Sequence, residues 1–221
     1  MSFSFHRFYE SWFDHLRHLS VQLAQLPQRP EIPEGHRHYR QLVEEVMSHY
    51  AAFYRVKSLA ARADVLSLFA APWCTSLERS LHWVAGFRPT TFFHIVYTES
   101  SIRFESQVFN ILRGKLTGDL GELSPETVKS ENEISKELSQ WQDGLVTVDW
   151  DGLRCDPGCM EWRLGHLVQV VEKADRLRLE TLNKVVELLT SQQAVEFLTA
   201  VAELQFGIRS WGLNLDRLLY R

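Results

Sequence analysis

Residues 5–26 read Phe5-His6-Arg7-Phe8-Tyr9-Glu10-Ser11-Trp12-Phe13-Asp14-His15-Leu16-Arg17-His18-Leu19-Ser20-Val21-Gln22-Leu23-Ala24-Gln25-Leu26. Phe5, Phe8, Trp12, Leu16, Leu19, Leu23 and Leu26 recur at intervals of three and four, which places them on one face of an α-helix. Pro27 cannot continue that helix, so the first element is predicted over residues 2–26. Pro27, Pro30 and Pro33 then make a short, stiff connection.

The same period runs outward along the chain. Tyr39, Leu42, Val43, Val46, Tyr50 and Phe53 form a second stripe, which can continue through Val65, Leu66 and Phe69 to Pro72 with a kink near Ser58. Thr75 and Glu78 are spaced as a capping box, opening a helix that ends at Gly86 in the left-handed conformation. Pro89 suits the first turn of the next helix, which carries Phe92, Phe93, Val96, Ile102, Phe104, Val108 and Leu112 and stops at Gly114. A turn-rich link over Thr117–Leu123 precedes a new start at Ser124-Pro125-Glu126, whose helix runs to about Asp143. An irregular loop is predicted over about 144–160, which holds Pro157 and weak periodicity. A helix from about Glu161 to Leu189, a capping pair Thr190/Gln193 and a final helix from about Gln192 to Leu219 complete the chain. No strand-type alternation, internal repeat or low-complexity tract occurs. The fold class is all-α: one multi-helix, bundle-like domain over residues 1–221.

Composition narrows the function. In 221 residues, 45% are hydrophobic and 24% charged, the balance of a globular domain. Lys plus Arg total 24 against 28 Asp plus Glu, and a net charge of −4 argues against a free-standing DNA binder. Three cysteines cannot make a disulfide framework and suit a reducing compartment. The segment Met1–Arg7 is not built as a signal peptide, and the apolar stretch Val65–Leu77 contains Pro72 and is too short to span a bilayer. Ser2 follows Met1 and no prenylation box ends the chain, so no integral or lipid anchor is expected; membrane association would be peripheral.

Few constellations carry chemistry. His15 and His18, beside Asp14, share a helix flank, but no third ligand is placed, so a solvated flank is the expectation. His36 and His38 flank Arg37 at a helix start, and His82 and His94 neighbour aromatic residues as groove or core histidines. Cys155 and Cys159 lack a second pair; Cys74 is remote and His166 alone does not complete a zinc site. No nucleophile elbow, Walker loop, dinucleotide fingerprint, HExxH or kinase set occurs, and no paired carboxylates stand out, so no catalytic residue and no metal site are assigned. Lys173, Arg176 and Arg178 are answered by Glu172, Asp175 and Glu180, the pattern of a salt-bridged solvent face.

The aromatic load is high, with seven Trp and thirteen Phe. Phe3, Phe5, Phe8, Tyr9, Trp12 and Phe13 are too many for one narrow stripe. Either they form a wide core face on a sandwiched helix, or some face a partner, a twin subunit or a pocket. On the second reading Phe8, Tyr9, Trp12 and Phe13 are the candidate partner-binding residues, and Tyr9→Ala with Trp12→Ala should weaken binding while leaving the fold intact.

Several strings, in order, resemble one family. Tyr9-Glu10-Ser11-Trp12, Lys57-Ser58-Leu59-Ala60-Ala61-Arg62-Ala63-Asp64-Val65, Pro72-Trp73, Leu77-Glu78-Arg79 and Trp83-Val84-Ala85-Gly86-Phe87-Arg88-Pro89 are similar to the plant delay-of-germination domain, which also forms the C-terminal part of TGA-type bZIP transcription factors. Gly118-Asp119-Leu120 with Leu123-Ser124-Pro125 looks like its mid-domain turn, and Trp211-Gly212 like its final-helix mark. The likeness spans Phe8 to Trp211. Within the family, Ser76–Pro89 and Tyr97-Thr98-Glu99-Ser100-Ser101 look most like the inaperturate-pollen branch, whose members help decide where pollen apertures form and act at plasma-membrane domains.

The resemblance implies a non-catalytic plant regulator in the cytoplasm and nucleus, or at the plasma-membrane periphery. It works by binding proteins such as a phosphatase, a kinase or other aperture or dormancy factors. In the dormancy branch a short N-terminal segment docks a protein phosphatase; its matching positions are Tyr9 and Trp12. That branch also binds haem through two histidines one turn apart in the last helix, and the matching positions are Gln205 and Arg209, neither a usual haem ligand. TGA-type domains pair and some hold a fatty acyl chain, which implies a homodimer and an apolar pocket. Transcriptional co-regulation through TGA-type factors is a further implied role. Direct binding of nucleic acid is not expected.

Overall fold

A computed structural model describes residues 4–26, 33–103, 107–146 and 157–219. They form eight helices: α1 Phe5–Ala24, α2 Pro33–Ala63, α3 Val65–Ala70, α4 Ser76–Ser80, α5 Thr91–Arg103, α6 Gln107–Val146, α7 Pro157–Leu188 and α8 Ser191–Leu219. No strand occurs among the described residues, so the all-α, single-domain expectation holds. Helix α2 packs against α1, α7 and α8; α8 also carries α1, α4 and α5, and α6 lies along α7. The core sits where α2, α7 and α8 meet, filled by Val46, Leu167, Val170, Leu182, Val185 and Leu198, all essentially inaccessible.

Several boundaries differ from expectation. Helix α2 breaks at Asp64, not at Ser58, because the Asp64 carboxylate accepts the Ser67 N–H at 2.9 Å and caps α3. Ala71, left-handed at φ 45°, ends α3 before Pro72.

The Thr75/Glu78 capping box forms in both directions, with Glu78 N–H to Thr75 Oγ1 at 3.2 Å and Thr75 N–H to Glu78 Oε2 at 2.7 Å. Its helix ends at Ser80, well short of Gly86. The left-handed residues are Val84 and Ala85 instead, at φ 47° and 56°.

Helix α6 runs unbroken through Gly114, the predicted link and Pro125. The proline forgoes one backbone bond, and packing of Leu123 and Ile134 into the core with α7 maintains the helix on both sides. The predicted loop contracts from both ends: α6 reaches Val146 and α7 begins at Pro157, with Trp141 Nε1 donating to the Arg163 carbonyl at 2.8 Å. The Thr190/Gln193 pair forms the reciprocal cap expected of it.

Candidate functional site

Helix α1 turns its aromatic face inward. Phe5, Tyr9, Trp12 and Phe13 are buried and Phe8 is half-buried. Trp12 stacks on His49 at 5.0 Å, and the two exchange backbone bonds: Trp12 Nε1 donates to the His49 carbonyl at 3.2 Å, while His49 Nε2 meets the Trp12 carbonyl at 3.0 Å. Phe53 of α2 packs against Phe5, Phe8, Tyr9 and Trp12.

Of the two readings of the surplus aromatics, the wide core face describes where these side chains lie. Tyr9, Trp12 and Phe13 have little surface to give a partner while α1 is docked; Phe8 alone of the four reaches the edge. Phe3 lies outside the described residues.

Among the described residues the histidines and cysteines lie apart but for one pair. His15 lies 4.8 Å from His49, ring to ring, and His18 points to solvent. Among the described residues no three potential ligands converge. Cys155 lies outside those described, as does the Cys159 side chain. Burial pushes the Cys74 thiol up to about 11, so it is an inert core thiol.

Arg209 occupies one of the two positions that the resemblance relates to haem. Its guanidinium lies over the rings of Tyr9 and Phe13 at 5.1 and 5.0 Å, bonds Glu78 at 3.3 Å and pairs with Glu10. Tyr9 Oη donates to the same Glu78 carboxylate at 2.9 Å. Burial, reinforced by Cys74 and Glu78, drives the Tyr9 hydroxyl far above the ordinary phenol range, so it stays a donor. Gln205 and Arg209 offer iron no imidazole, thiolate or thioether, and Arg209 is committed to two carboxylates. These residues do not fit axial haem ligation.

Beside this network α1, α2, α5 and α8 enclose a cavity of about 100 Å³. Trp12, Phe13, Tyr50, Phe53, Phe92 and Val201 supply apolar wall; Lys57 and Arg178 stand at a polar end. Its volume is below the roughly 300–1,000 Å³ of ordinary ligand pockets.

The polar end is the most unusual chemistry in the chain. Lys57 Nζ donates to Asp175 Oδ1 at 2.8 Å and to the Ala85 carbonyl at 2.7 Å. Arg178 donates to Asp175, to the Trp83 carbonyl, to the Val84 carbonyl at 3.0 Å and to the Phe87 carbonyl at 2.6 Å. Burial pushes the Lys57 ammonium down to about 8, opposed by Asp175. Burial, then the charges of Lys57 and Arg178, hold the nearby His82 imidazole down at about 4.

The two cations thus grip four carbonyls of the 83–87 loop and hold Val84 and Ala85 in a conformation that non-glycine residues avoid. The expectation that Arg178 and Asp175 belong to a solvent face is overturned: both are buried. The rest of that face stands: Lys173, Arg176 and Glu180 are exposed, with Lys173 bonded to Glu137 at 2.7 Å and the half-buried Glu172 paired with Arg62 at 2.8 Å. A signal for the cluster was present in the sequence. Lys57 continues the stripe Val46, Tyr50, Phe53, and Arg178 stands on the stripe Val171, Ala174, Leu182, so both charges fall at core positions.

The comparisons with known proteins agree with this architecture. The family model described as DOG1, seed dormancy control, matches residues 16–98. Protein DOG1-like 4 of Arabidopsis thaliana is 30% identical over 220 residues, covering 94% of this chain and 91% of that protein. Transcription factor TGA1 of the same plant is 31% identical over 170 residues, 74% of this chain but 44% of its own length, so the chain spans less than half of that factor. Protein DOG1-like 2 of Arabidopsis thaliana is 28% identical over 193 residues, 77% of this chain and 76% of its own.

Proposed function

We propose, since this chain belongs to the DOG1 seed dormancy control family, that it is a non-catalytic regulatory protein of plants that acts by binding other proteins in pollen aperture formation. The regulatory role rests on the family; the aperture role rests on the resemblance of Ser76–Pro89 and Tyr97–Ser101 to the inaperturate-pollen branch. The structural observation that carries the binding role is on α8. Leu204, Ile208, Trp211, Leu215 and Leu218 follow heptad spacing, and Trp211 is 65% and Leu218 70% exposed. Gly207 and Asn214 flank the stripe without bulk or charge, which suits close approach of an amphipathic helix. The occupant is then a helix of a phosphatase, kinase or other aperture factor, with Trp211 as anchor. A partner role for Tyr9, Trp12 and Phe13 requires α1 to lift from α2.

The seed-dormancy role is the second reading, favoured by the description of the matching family model. A homodimer, TGA-type co-regulation and residence in cytoplasm and nucleus belong to the same proposal. No described helix is long and apolar enough to cross a membrane. Plants lacking the protein test the readings together. We expect pollen without normal apertures, restored by the wild-type chain and not by a folded Trp211→Asp variant. Normal apertures with altered dormancy select the second reading; normal pollen and seeds overturn both.

A further inference from the structure

The cavity and the buried cations together point to a site that the protein-binding role does not use. We infer that the cavity between α1, α2, α5 and α8 binds a small single-ring aromatic carboxylate, with the ring among the aromatic walls and the carboxylate on Lys57 Nζ. Size comes first. A cavity of about 100 Å³ is of the order of the roughly 150 Å³ apolar hole that takes benzene, and is below the roughly 300–1,000 Å³ of ordinary ligand pockets. Phe53 and Leu204, only partly shielded, give its rim room to adjust.

Charge comes second. Two cations, Lys57 and Arg178, share one carboxylate, Asp175, in the interior. Burying a cation without its own counter-charge is costly. Among the described residues Lys57 uses two of its three N–H groups, on Ala85 and Asp175, and so retains a donor. The cavity wall also carries the Glu78 carboxylate, but that group is paired with Arg209, so the Lys57–Arg178–Asp175 cluster keeps its one excess positive charge. An anion carried on a ring answers both that charge and the apolar wall, and a neutral ring answers only the wall.

Backbone conformation comes third. The wall formed by Ala85, Gly86 and Phe87 belongs to the loop in which Val84 and Ala85 are left-handed. That conformation is maintained by the same two cations, and such backbone clusters at ligand clamps. A carboxylate on the remaining Lys57 donor would share that ammonium with the Ala85 carbonyl and so couple occupancy to the shape of the 83–87 loop.

The test uses the full chain and benzoate as the probe. Isothermal titration calorimetry should give saturable one-to-one binding, with neutral benzamide weaker by roughly tenfold or more. Ile95→Phe, which fills the cavity from a half-buried wall position, should abolish it, and Lys57→Met should weaken it by roughly tenfold or more. If Lys57→Met does not fold, Ile95→Phe and benzamide still decide. Absence of saturable heat at millimolar benzoate overturns the site. Equal affinity for benzamide overturns the carboxylate assignment, unchanged binding to Ile95→Phe overturns the location, and tighter binding of octanoate than benzoate overturns the single-ring class.

Discussion

Lys57 Nζ meets Asp175 Oδ1 at 2.8 Å with both side chains 5% exposed, joining α2 to α7 across 118 residues of sequence. Among the described residues it is more buried than the other pair that joins distant helices in the interior, Arg209–Glu78, whose side chains are 12% and 5% exposed. This pair, with Arg178, also determines the shape of the 83–87 loop.

Removing the shared carboxylate should be severe. Asp175→Ala leaves Lys57 and Arg178 without a counter-charge and should cost about 3–5 kcal/mol of folding stability. Lys173→Ala, which breaks the exposed pair with Glu137, should cost about 1 kcal/mol or less. Urea denaturation of the two variants side by side checks the contrast.

Two glycines of α8 should respond in opposite senses. A Cβ at Gly212 would lie 2.1 Å from Thr75 Oγ1 and 2.7 Å from its Cβ, where α4 crosses α8. Gly212→Ala should therefore destabilise by about 1–3 kcal/mol. At Gly207 a Cβ meets nothing within 4 Å, so Gly207→Ala should stabilise the helix by up to about 1 kcal/mol. Thermal melts of both variants read the signs directly.

The tryptophans separate core from surface. Trp12→Ala should cost about 3–5 kcal/mol, because its ring is packed on Phe53 and His49. The sequence-based expectation that Tyr9→Ala with Trp12→Ala leaves the fold intact is thereby reversed. Trp211→Ala should change stability by only about 0.5 kcal/mol while removing partner binding. Circular dichroism melts and a binding assay on the same samples distinguish the two.

Acid should weaken the fold through His82. Its folded imidazole titrates at about 4, below the ordinary 6.5, so between these values the unfolded chain holds the extra proton. Stability is then greatest above 6.5 and falls as pH drops toward 4. His49, lowered by burial and by His15, adds in the same direction. His82→Gln should flatten part of the decline in urea midpoint between pH 7 and pH 4.5.

Much of the architecture was legible because helix periodicity is local. The α1 stripe, the Thr75/Glu78 box, the Thr190/Gln193 cap and the spans of α7 and α8 follow from residues three or four apart. The misread boundaries share one cause. Gly114 and Gly86 are local stop signals and Ser124-Pro125-Glu126 a local start signal, but a helix packed along a neighbour can run through a glycine and a proline, and a loop gripped by two cations can take left-handed turns at Val84 and Ala85.

The sequence by itself determined that the chain is an all-α domain with an aromatic first helix and placed it near its family. Whether those aromatics face a partner or a core depended on α2 and α8 arriving to cover them. Only the tertiary structure decided that Arg178 and Asp175 are interior groups. Alternating charges along α7 look identical on a solvent face and in a buried network; the difference is the Lys57 ammonium and the 83–87 carbonyls, brought from far along the chain.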